Sequence, residues 1–211
     1  MPALNQLAER IRQTRAANRH RHASIRARFE AEVQRVGGIV QEVADLEQAG
    51  FSIAHLARAK GITTCRATDP DLARALQLEI ALAEASIDGG PGATSASILG
   101  TGIGITRAAL GVAETGSVVI HLDEVDERLL SMLPEIHVAL LHQDALVDSL
   151  EEGLLYTRYL VLRSHTRGRP SYLSWVTGPS RTADIERVLT IGVHGPKEVY
   201  ILLLPPAGEE P

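Results

Sequence analysis

The chain has 211 residues, a net charge of −5 and a hydrophobic fraction of 45%, but aromatic residues make up only 3%. This length supports one substantial core, and a core of Leu, Ile, Val and Ala favours an α/β protein in which helices cover a parallel sheet. The single cysteine, Cys65, excludes an internal disulfide and any cluster whose four thiolate ligands come from this chain alone.

The first 36 residues form a basic segment, with eight arginines against three acidic residues. The pattern predicts an N-terminal helical arm whose charges lie on a solvated or packed face, and contact with nucleic acid through this arm is a weaker alternative. No apolar run here could serve as a signal peptide, and no later segment is long enough to span a membrane. A cytoplasmic protein is therefore predicted.

After the arm, the pattern alternates between strands and helices. Gly37-Gly38 stops the arm before a short strand at Ile39-Val40, and a helix from about Asp45 to Lys60 ends at Gly61. The β-branched stretch Ile62 to Cys65 predicts the next strand. A second helix is predicted from Asp71 to Ser86.

The middle third begins with a loop at Gly89 to Gly92. A short helix is predicted from Thr106 to the turn at Glu114, and a buried strand follows at Val118 to Ile120. Beyond Pro134 we predict an apolar strand and then the longest helix, at Ile136–Leu141 and Asp144–Leu160.

The last third predicts one βαβ unit. Its strands and helix are expected at Tyr172–Thr177, Ala183–Val193 and Lys197–Leu204, with a turn at Gly178–Ser180 and a stop at Gly195-Pro196. The whole pattern predicts an open, mostly parallel sheet flanked by helices. We divide the chain into the arm (1–36), an α/β domain (37–205) and a disordered tail (206–211).

The first candidate site is the turn Glu114-Thr115-Gly116-Ser117, directly before a buried strand. Gly116 would allow the backbone to approach a ligand closely, and Glu114 could act as a base, a hydrogen-bond acceptor or a covalent nucleophile. The alternative is that Glu114 ends a short helix in solvent and Gly116 only makes the turn. From the residues alone, this second interpretation is favoured.

The second candidate site runs from Gly178 to Pro196. A strand end that meets a helix start would offer free backbone N–H groups to a phosphate or carboxylate, with Ser180 or Thr182 as the cap. Asp184 and Glu186 would instead stabilise the helix dipole, and His194 has an equal claim to a role as a C-terminal cation.

Histidines give no metal-ligand spacing such as H-E-x-x-H. His137, in an apolar strand, is interpreted as a core histidine with one satisfied nitrogen. Cys65 lies on a predicted strand with no adjacent base, so we interpret it as a packing residue. No metal site is predicted.

Three segments together resemble the LUD (lactate-utilisation) family. They are GITRAALGVAETGSVVI from Gly104 to Ile120, LPEIH from Leu133 to His137, and GPSRTADIE from Gly178 followed by GVHGP ending at Pro196. The resemblance covers roughly 38–204. At Ala109 this chain departs from the family, which often has Asp there, so a carboxylate role at that position is absent.

The resemblance implies an open sheet of the ribose-5-phosphate isomerase, glucosamine-6-phosphate deaminase and CoA-transferase type. It also implies a subunit without iron–sulfur clusters in a system that oxidises L-lactate to pyruvate, with the clusters in partner proteins. The site residues it suggests are Glu114 as candidate catalytic residue and, for ligand binding, Thr106, Thr115, Gly116, Gly178, Ser180, Thr182 and His194.

A second hypothesis remains open. The chain could be a stand-alone enzyme or binding protein for a CoA ester, a phosphosugar or a carboxylate. Glu114 would then be the base or nucleophile, and the segment from Gly178 to Thr182 would hold the anion.

Overall fold

The computed structural model describes residues 2–68, 70–83, 98–122, 128–183 and 189–207. Its α-helices are α1 (Pro2–Asn18), α2 (His22–Arg35), α3 (Leu46–Lys60), α4 (Pro70–Ala75), α5 (Leu78–Ala83) and α6 (Leu150–Thr166). Short 3-10 turns lie at Arg19–Arg21 and Gln143–Ala145. Among the described residues, no helix is both long and apolar enough to cross a membrane.

The main sheet has five strands in the order β1-β11-β6-β3-β2, all parallel. These strands are β1 (Ile39–Glu42), β2 (Cys65–Ala67), β3 (Ile103–Arg107), β6 (Ile136–His142) and β11 (Glu198–Leu204). The predicted α/β class, with a mostly parallel sheet and flanking helices, is confirmed.

A second sheet, which the sequence pattern did not predict, has the order β7-β4-β5-β8. Its strands are β4 (Leu110–Val112), β5 (Ser117–Leu122), β7 (Leu146–Val147) and β8 (Tyr172–Val176). A separate antiparallel pair is formed by β9 (Arg181–Ala183) and β10 (Leu189–Ile191). The predicted βαβ unit at the end of the chain is therefore wrong, because β8 and β11 belong to different sheets.

Side-chain alternation along the main sheet builds two cores. Val138 and Leu140 pack with α3 to α5 on one face, whereas Ala139 and Leu141 pack with α2 on the other. A third cluster lies between the second sheet and α6. The layers are thus α3 to α5, the main sheet, α2 with the second sheet, and α6.

The basic N-terminal segment is helical, as predicted, and α2 contributes three fully buried side chains to the core: Ile25, Phe29 and Val33. This half of the arm is therefore packed against the core on one face, while Arg28 and Arg35 are exposed. The division at residue 37 stays a prediction, as does the disorder of the tail, of which residues 208–211 lie outside the described residues.

The helix predicted from Asp45 is confirmed, and its ends are explained by local chemistry. The Asp45 side chain accepts a hydrogen bond from the Gln48 N–H at 2.8 Å. Gly61 terminates the helix in the left-handed region at φ +67°. The predicted strand at Ile62 to Cys65 is displaced, since β2 begins only at Cys65.

The helix predicted from Asp71 to Ser86 is interrupted. Gln77 has a φ of +49°, which separates α4 from α5. Near this break, the backbone at Leu76 lies close to Gly50 of α3. A Cβ added to Gly50 would lie 1.9 Å from the Leu76 carbonyl oxygen. The predicted residues 84–86 and the Gly89–Gly92 loop lie outside the described residues.

Two further predicted helices are corrected. The segment from Thr106 to Ala113 is the end of β3 followed by β4, whose three residues are all buried between β5 and β7. A short apolar run is compatible with the spacing of a helix or of a strand, so the hydrogen bonds to β5 and β7 decided that this segment is a strand. The helix predicted from Asp144 begins at Leu150, because the Ser149 side chain caps it by accepting from the Glu152 N–H at 3.2 Å.

The helix predicted from Ala183 to Val193 is wrong at its described residues. Ala183 pairs with Leu189, and Thr182 pairs with Thr190, in an antiparallel ladder. Gly192, at φ +79°, follows the second strand. Pairing with a neighbouring strand thus overrode the helical spacing, and residues 184–188, which include Asp184 and Glu186, lie outside the described residues.

Candidate functional site

The turn at Glu114 to Gly116 joins β4 to β5, which are antiparallel partners. Gly116 has a φ of +63°, and a Cβ added there would lie 2.5 Å from the Val33 backbone nitrogen. The backbone that approaches this glycine closely is therefore the end of α2, and the predicted approach to a ligand stays a prediction. Glycine is therefore required at position 116 for two reasons: its φ is positive, and α2 leaves no space for a Cβ.

Glu114 is exposed, and its carboxylate has a defined partner. One oxygen accepts a hydrogen bond from the Leu150 N–H at 2.7 Å, at the first residue of α6. The Glu114 N–H donates to the Asp148 carbonyl oxygen at 3.0 Å. The carboxylate thus satisfies a free backbone donor at a helix N-terminus, where a negative charge is favourable.

Three hydroxyl groups connect this turn to the end of β8. Thr115 Oγ1 lies 2.7 Å from Ser117 Oγ, which lies 2.7 Å from Thr177 Oγ1. Ser117 is only 2% exposed, whereas Thr177 is exposed. Because each hydroxyl can both donate and accept, the three form a continuous hydrogen-bonded chain that leads from Thr115 to the residue before Gly178.

The second candidate segment also rests on the end of α2. A Cβ added to Gly178, at φ +69°, would lie 2.4 Å from the Val36 carbonyl oxygen. The Arg181 guanidinium donates to that same oxygen. The segment closes on itself as well, since the Ser180 N–H donates to the Pro196 oxygen and the Gly192 N–H donates to the Ser180 oxygen, both at 2.9 Å.

The structure therefore brings Gly116 and Gly178 together through residues 32–36, which the sequence pattern predicts as part of a separate arm. Ser180 and Thr182 are half-buried, and His194 is exposed, in the segment that contains Gly178. The anion site predicted at a helix start has no helix at its described residues, because Thr182 lies in β9.

Two residues from different family segments, Thr106 and His137, lie side by side inside the protein. Thr106 is fully buried, and its hydroxyl lies 2.9 Å from His137 Nε2. His137 Nδ1 has no partner among the described residues, as expected for a core histidine with one satisfied nitrogen. Burial lowers the pKa of His137 to about 4. Ala109 is half-buried and donates its N–H to the Val119 oxygen at 2.7 Å.

Within the part of the chain that the structure describes, no three His, Cys, Asp or Glu side chains are placed to hold a metal ion. Cys65 is fully buried in β2.

A cavity of about 850 Å³ lies elsewhere, between α1 and α6. Its lining includes five arginines: Arg12, Arg15, Arg19, Arg163 and Arg167. The lining contains none of the candidate site residues that were predicted from the sequence. The sequence does carry a signal for it, since these arginines recur at spacings of three and four residues. Such spacing places residues on one side of a helix, and here it runs from α1 into the turn at Arg19 and from α6 to Arg167 just after its end.

Comparison with known proteins connects the sequence to one family. The model of the LUD domain matches residues 26–204. Two proteins called lactate utilization protein C, from Deinococcus radiodurans and Bacillus subtilis, are 34% and 35% identical over 47% and 48% of this chain. A third, from Halalkalibacterium halodurans, is 38% identical over 48% of the chain.

The match covers 45%, 42% and 44% of these three relatives, so the chain spans less than half the length of the curated relatives it matches. A crystal structure of a DUF162 family protein from Deinococcus radiodurans shares the fold, with a TM-score of 0.58 and 22% identity. The superposition covers 87% of this chain and 98% of that one.

Proposed function

Because this chain belongs to the LUD domain family, we propose that it acts in lactate utilisation, as a subunit of a system that oxidises L-lactate to pyruvate. The observation that carries the proposal is the match of residues 26–204 to the family, joined to relatives called lactate utilization protein C. The proposal places the protein in the cytoplasm. It also assigns the main sheet to the ribose-5-phosphate isomerase, glucosamine-6-phosphate deaminase and CoA-transferase type.

The oxidation of L-lactate to pyruvate releases two electrons and two protons, so the system needs an electron acceptor. The proposal places iron–sulfur clusters in partner proteins, because such clusters are held by cysteine thiolates and Cys65, the one cysteine of this sequence, is fully buried in the core. The role proposed for this chain is therefore assembly with the partners that transfer electrons.

Two experiments in the native cell test this proposal. Tagged full-length protein should co-purify with iron–sulfur proteins, detected by mass spectrometry and by their iron content. Deletion of the gene should abolish growth on L-lactate and leave growth on pyruvate intact, since pyruvate enters after the proposed step. Normal growth of the deletion strain on L-lactate, without co-purified iron–sulfur proteins, would overturn the proposal.

A second candidate function is a stand-alone enzyme or binding protein for a CoA ester, a phosphosugar or a carboxylate. The observation that favours it is the meeting of the Gly116 turn and the Gly178 segment at the end of α2. In this proposal Glu114 is the base or nucleophile, and the ligand-binding residues are Thr106, Thr115, Gly116, Gly178, Ser180, Thr182 and His194.

Replacement of Glu114 by Gln distinguishes the two functions. The amide retains an acceptor oxygen for the Leu150 N–H but cannot act as a base or nucleophile. A thermal-shift screen of the natural protein and of Glu114→Gln with a CoA ester, a phosphosugar and a carboxylate gives the readout. Stabilisation by one of these ligands that Glu114→Gln alters would support the second function. No stabilisation by any of them, with growth on L-lactate unchanged in the variant, would count against it.

A further inference from the structure

The cavity between α1 and α6 lies at the carboxyl ends of two neighbouring parallel strands. Asp144 follows β6, Pro206 follows β11, and both residues line the cavity. In open α/β sheets, the carboxyl ends of the strands are where ligands bind. The volume of about 850 Å³ falls within the roughly 300–1,000 Å³ typical of small-molecule sites.

The charge of the lining is strongly unbalanced. Five arginines face one carboxylate, that of Asp144. Arg12 pairs with Glu9 at 2.8 Å, but among the described residues the side chains of Arg163 and Arg167 form neither an ion pair nor a hydrogen bond. Such a concentration of guanidinium groups favours a ligand with several negative charges.

One arginine is held in position by an aromatic side chain. Arg15 donates to the Tyr156 hydroxyl, and its guanidinium carbon lies 5.1 Å from the centre of the same ring. Burial raises the pKa of Tyr156, so the phenol stays neutral and can accept this bond. Asn18 also has a defined partner, since its side-chain amide donates to the Glu152 carboxylate at 3.0 Å. The two helices that form the cavity walls are thus joined by polar contacts.

The remaining wall is apolar and aromatic. Ile11, Ile25 and Leu146 are buried side chains in the cavity lining. The rings of Tyr156 and Tyr159 stand edge to face, with centres 6.3 Å apart and planes at 73°. Half-buried tyrosine rings beside apolar side chains offer a surface for a planar ring.

We propose that this cavity binds a nucleoside diphosphate group, with the phosphates held by the arginines and the base against the tyrosines and the apolar wall. Guanidinium groups can bind phosphate oxygens through two hydrogen bonds each. The apolar wall would contact the base, whereas inorganic phosphate has no group that could contact it. L-Lactate, with one carboxylate and three carbons, would leave most of this volume unfilled. The proposed site is separate from the Glu114 turn and does not depend on the role in lactate utilisation.

Titration calorimetry of the full chain with four probes tests the proposal. ADP represents the free nucleotide, NAD represents the same group within a larger cofactor, and adenosine and pyrophosphate represent the two halves alone. We expect ADP or NAD to bind at least about tenfold more tightly than either half, because both walls of the site are then used. Preference between ADP and NAD distinguishes a nucleotide from a dinucleotide cofactor.

Variants locate the binding. Arg163→Ala should weaken binding by about tenfold or more through loss of a charge-assisted contact, and Tyr159→Ala should weaken it by about threefold to tenfold through loss of ring contact. Arg74→Ala is the matched control: it removes the same charge from an exposed residue of α4 that pairs with Asp71 at 2.8 Å, away from the cavity. It should leave binding unchanged.

Circular dichroism and melting temperature establish that each variant is folded. If Arg163→Ala unfolds, Arg167→Ala is the second variant, because the Arg167 side chain is exposed and its loss leaves no buried group unpaired. The proposal is overturned if neither ADP nor NAD binds at millimolar concentration. It is also overturned if pyrophosphate binds as tightly as ADP, or if Arg74→Ala weakens binding as much as the cavity variants do.

Discussion

Thr106 Oγ1 and His137 Nε2 lie 2.9 Å apart inside the main sheet, on adjacent parallel strands. Both side chains are fully buried. Since Val138 faces the α3 side, alternation places His137 on the opposite face, towards α2. The pair is therefore a polar contact within an apolar core. The effect of burying His137 and the contribution of its hydrogen bond to stability can both be measured.

The stability of the protein should fall in mild acid because of His137. Burial lowers its pKa to about 4 from the ordinary value of 6.5. Between these values the unfolded chain binds more protons, so the free energy of unfolding decreases as the pH falls from 6.5 towards 4, by up to about 1.4 kcal/mol per pH unit. Above pH 6.5 this contribution is complete and no longer changes.

Urea denaturation at pH 5 and pH 7 measures this effect. His137→Leu should show a smaller difference between the two pH values than the natural protein, whereas His55→Leu, at an exposed position of α3, should not. An equal pH dependence in the His137→Leu protein would show that another group is responsible.

Removal of the Thr106 hydroxyl should destabilise the protein. Thr106→Val keeps the shape of the side chain but leaves His137 Nε2 buried without its partner, at a cost of about 1–3 kcal/mol. Thr106→Ser retains the hydroxyl and loses one methyl group, at a cost of about 1 kcal/mol. The free energy of unfolding at pH 7 should therefore be lower for the Val variant, and the reverse order would contradict the importance of this bond.

Glu114 should contribute to stability as the partner of the Leu150 N–H. Glu114→Ala should lower the free energy of unfolding by about 0.5–1 kcal/mol, the range for an exposed capping contact. Glu114→Gln should lose less, because it keeps an acceptor oxygen. Glu151→Ala is the control, since this exposed carboxylate lies in the first turn of the same helix. An equal decrease in the free energy of unfolding for Glu114→Ala and Glu151→Ala would show that only the charge near the helix N-terminus matters, and not the hydrogen bond to Leu150.

Gly116 should tolerate alanine far less well than Gly168 does. The two have nearly the same φ, +63° and +65°, but a Cβ at Gly116 meets the backbone of α2, and a Cβ at Gly168 meets nothing within 4 Å. Gly168→Ala should cost about 1–2 kcal/mol for the left-handed conformation alone. Gly116→Ala should cost at least about 3 kcal/mol, because the end of α2 must also move. Thermal melting of both variants measures the difference.

Long or strongly marked elements could be predicted from local chemistry. The helix that begins at Leu46 has its cap at Asp45 and its stop at Gly61, and the β6 strand is a continuous apolar run after Pro134. Short segments could not, because the apolar run at Leu110–Val112 fits a helix as well as a strand until its partners are known. At Ser149 the capping signal was present in the sequence, and the helical spacing of Leu146 and Val147 obscured it.

For the candidate site, the sequence by itself determined the family, through the motifs from Gly104 to Ile120 and from Gly178 to Pro196. It also determined that His137 would be a core residue, since an apolar strand leaves few alternatives. The tertiary structure decided what lies against each residue: α2 beneath Gly116 and Gly178, the Leu150 N–H at Glu114, and Thr106 beside His137. It also joined the arginines of α1 to those of α6 around one cavity. These contacts link residues more than 25 positions apart in the sequence. The spacing of residues within one segment cannot predict them, because they depend on how distant segments pack together.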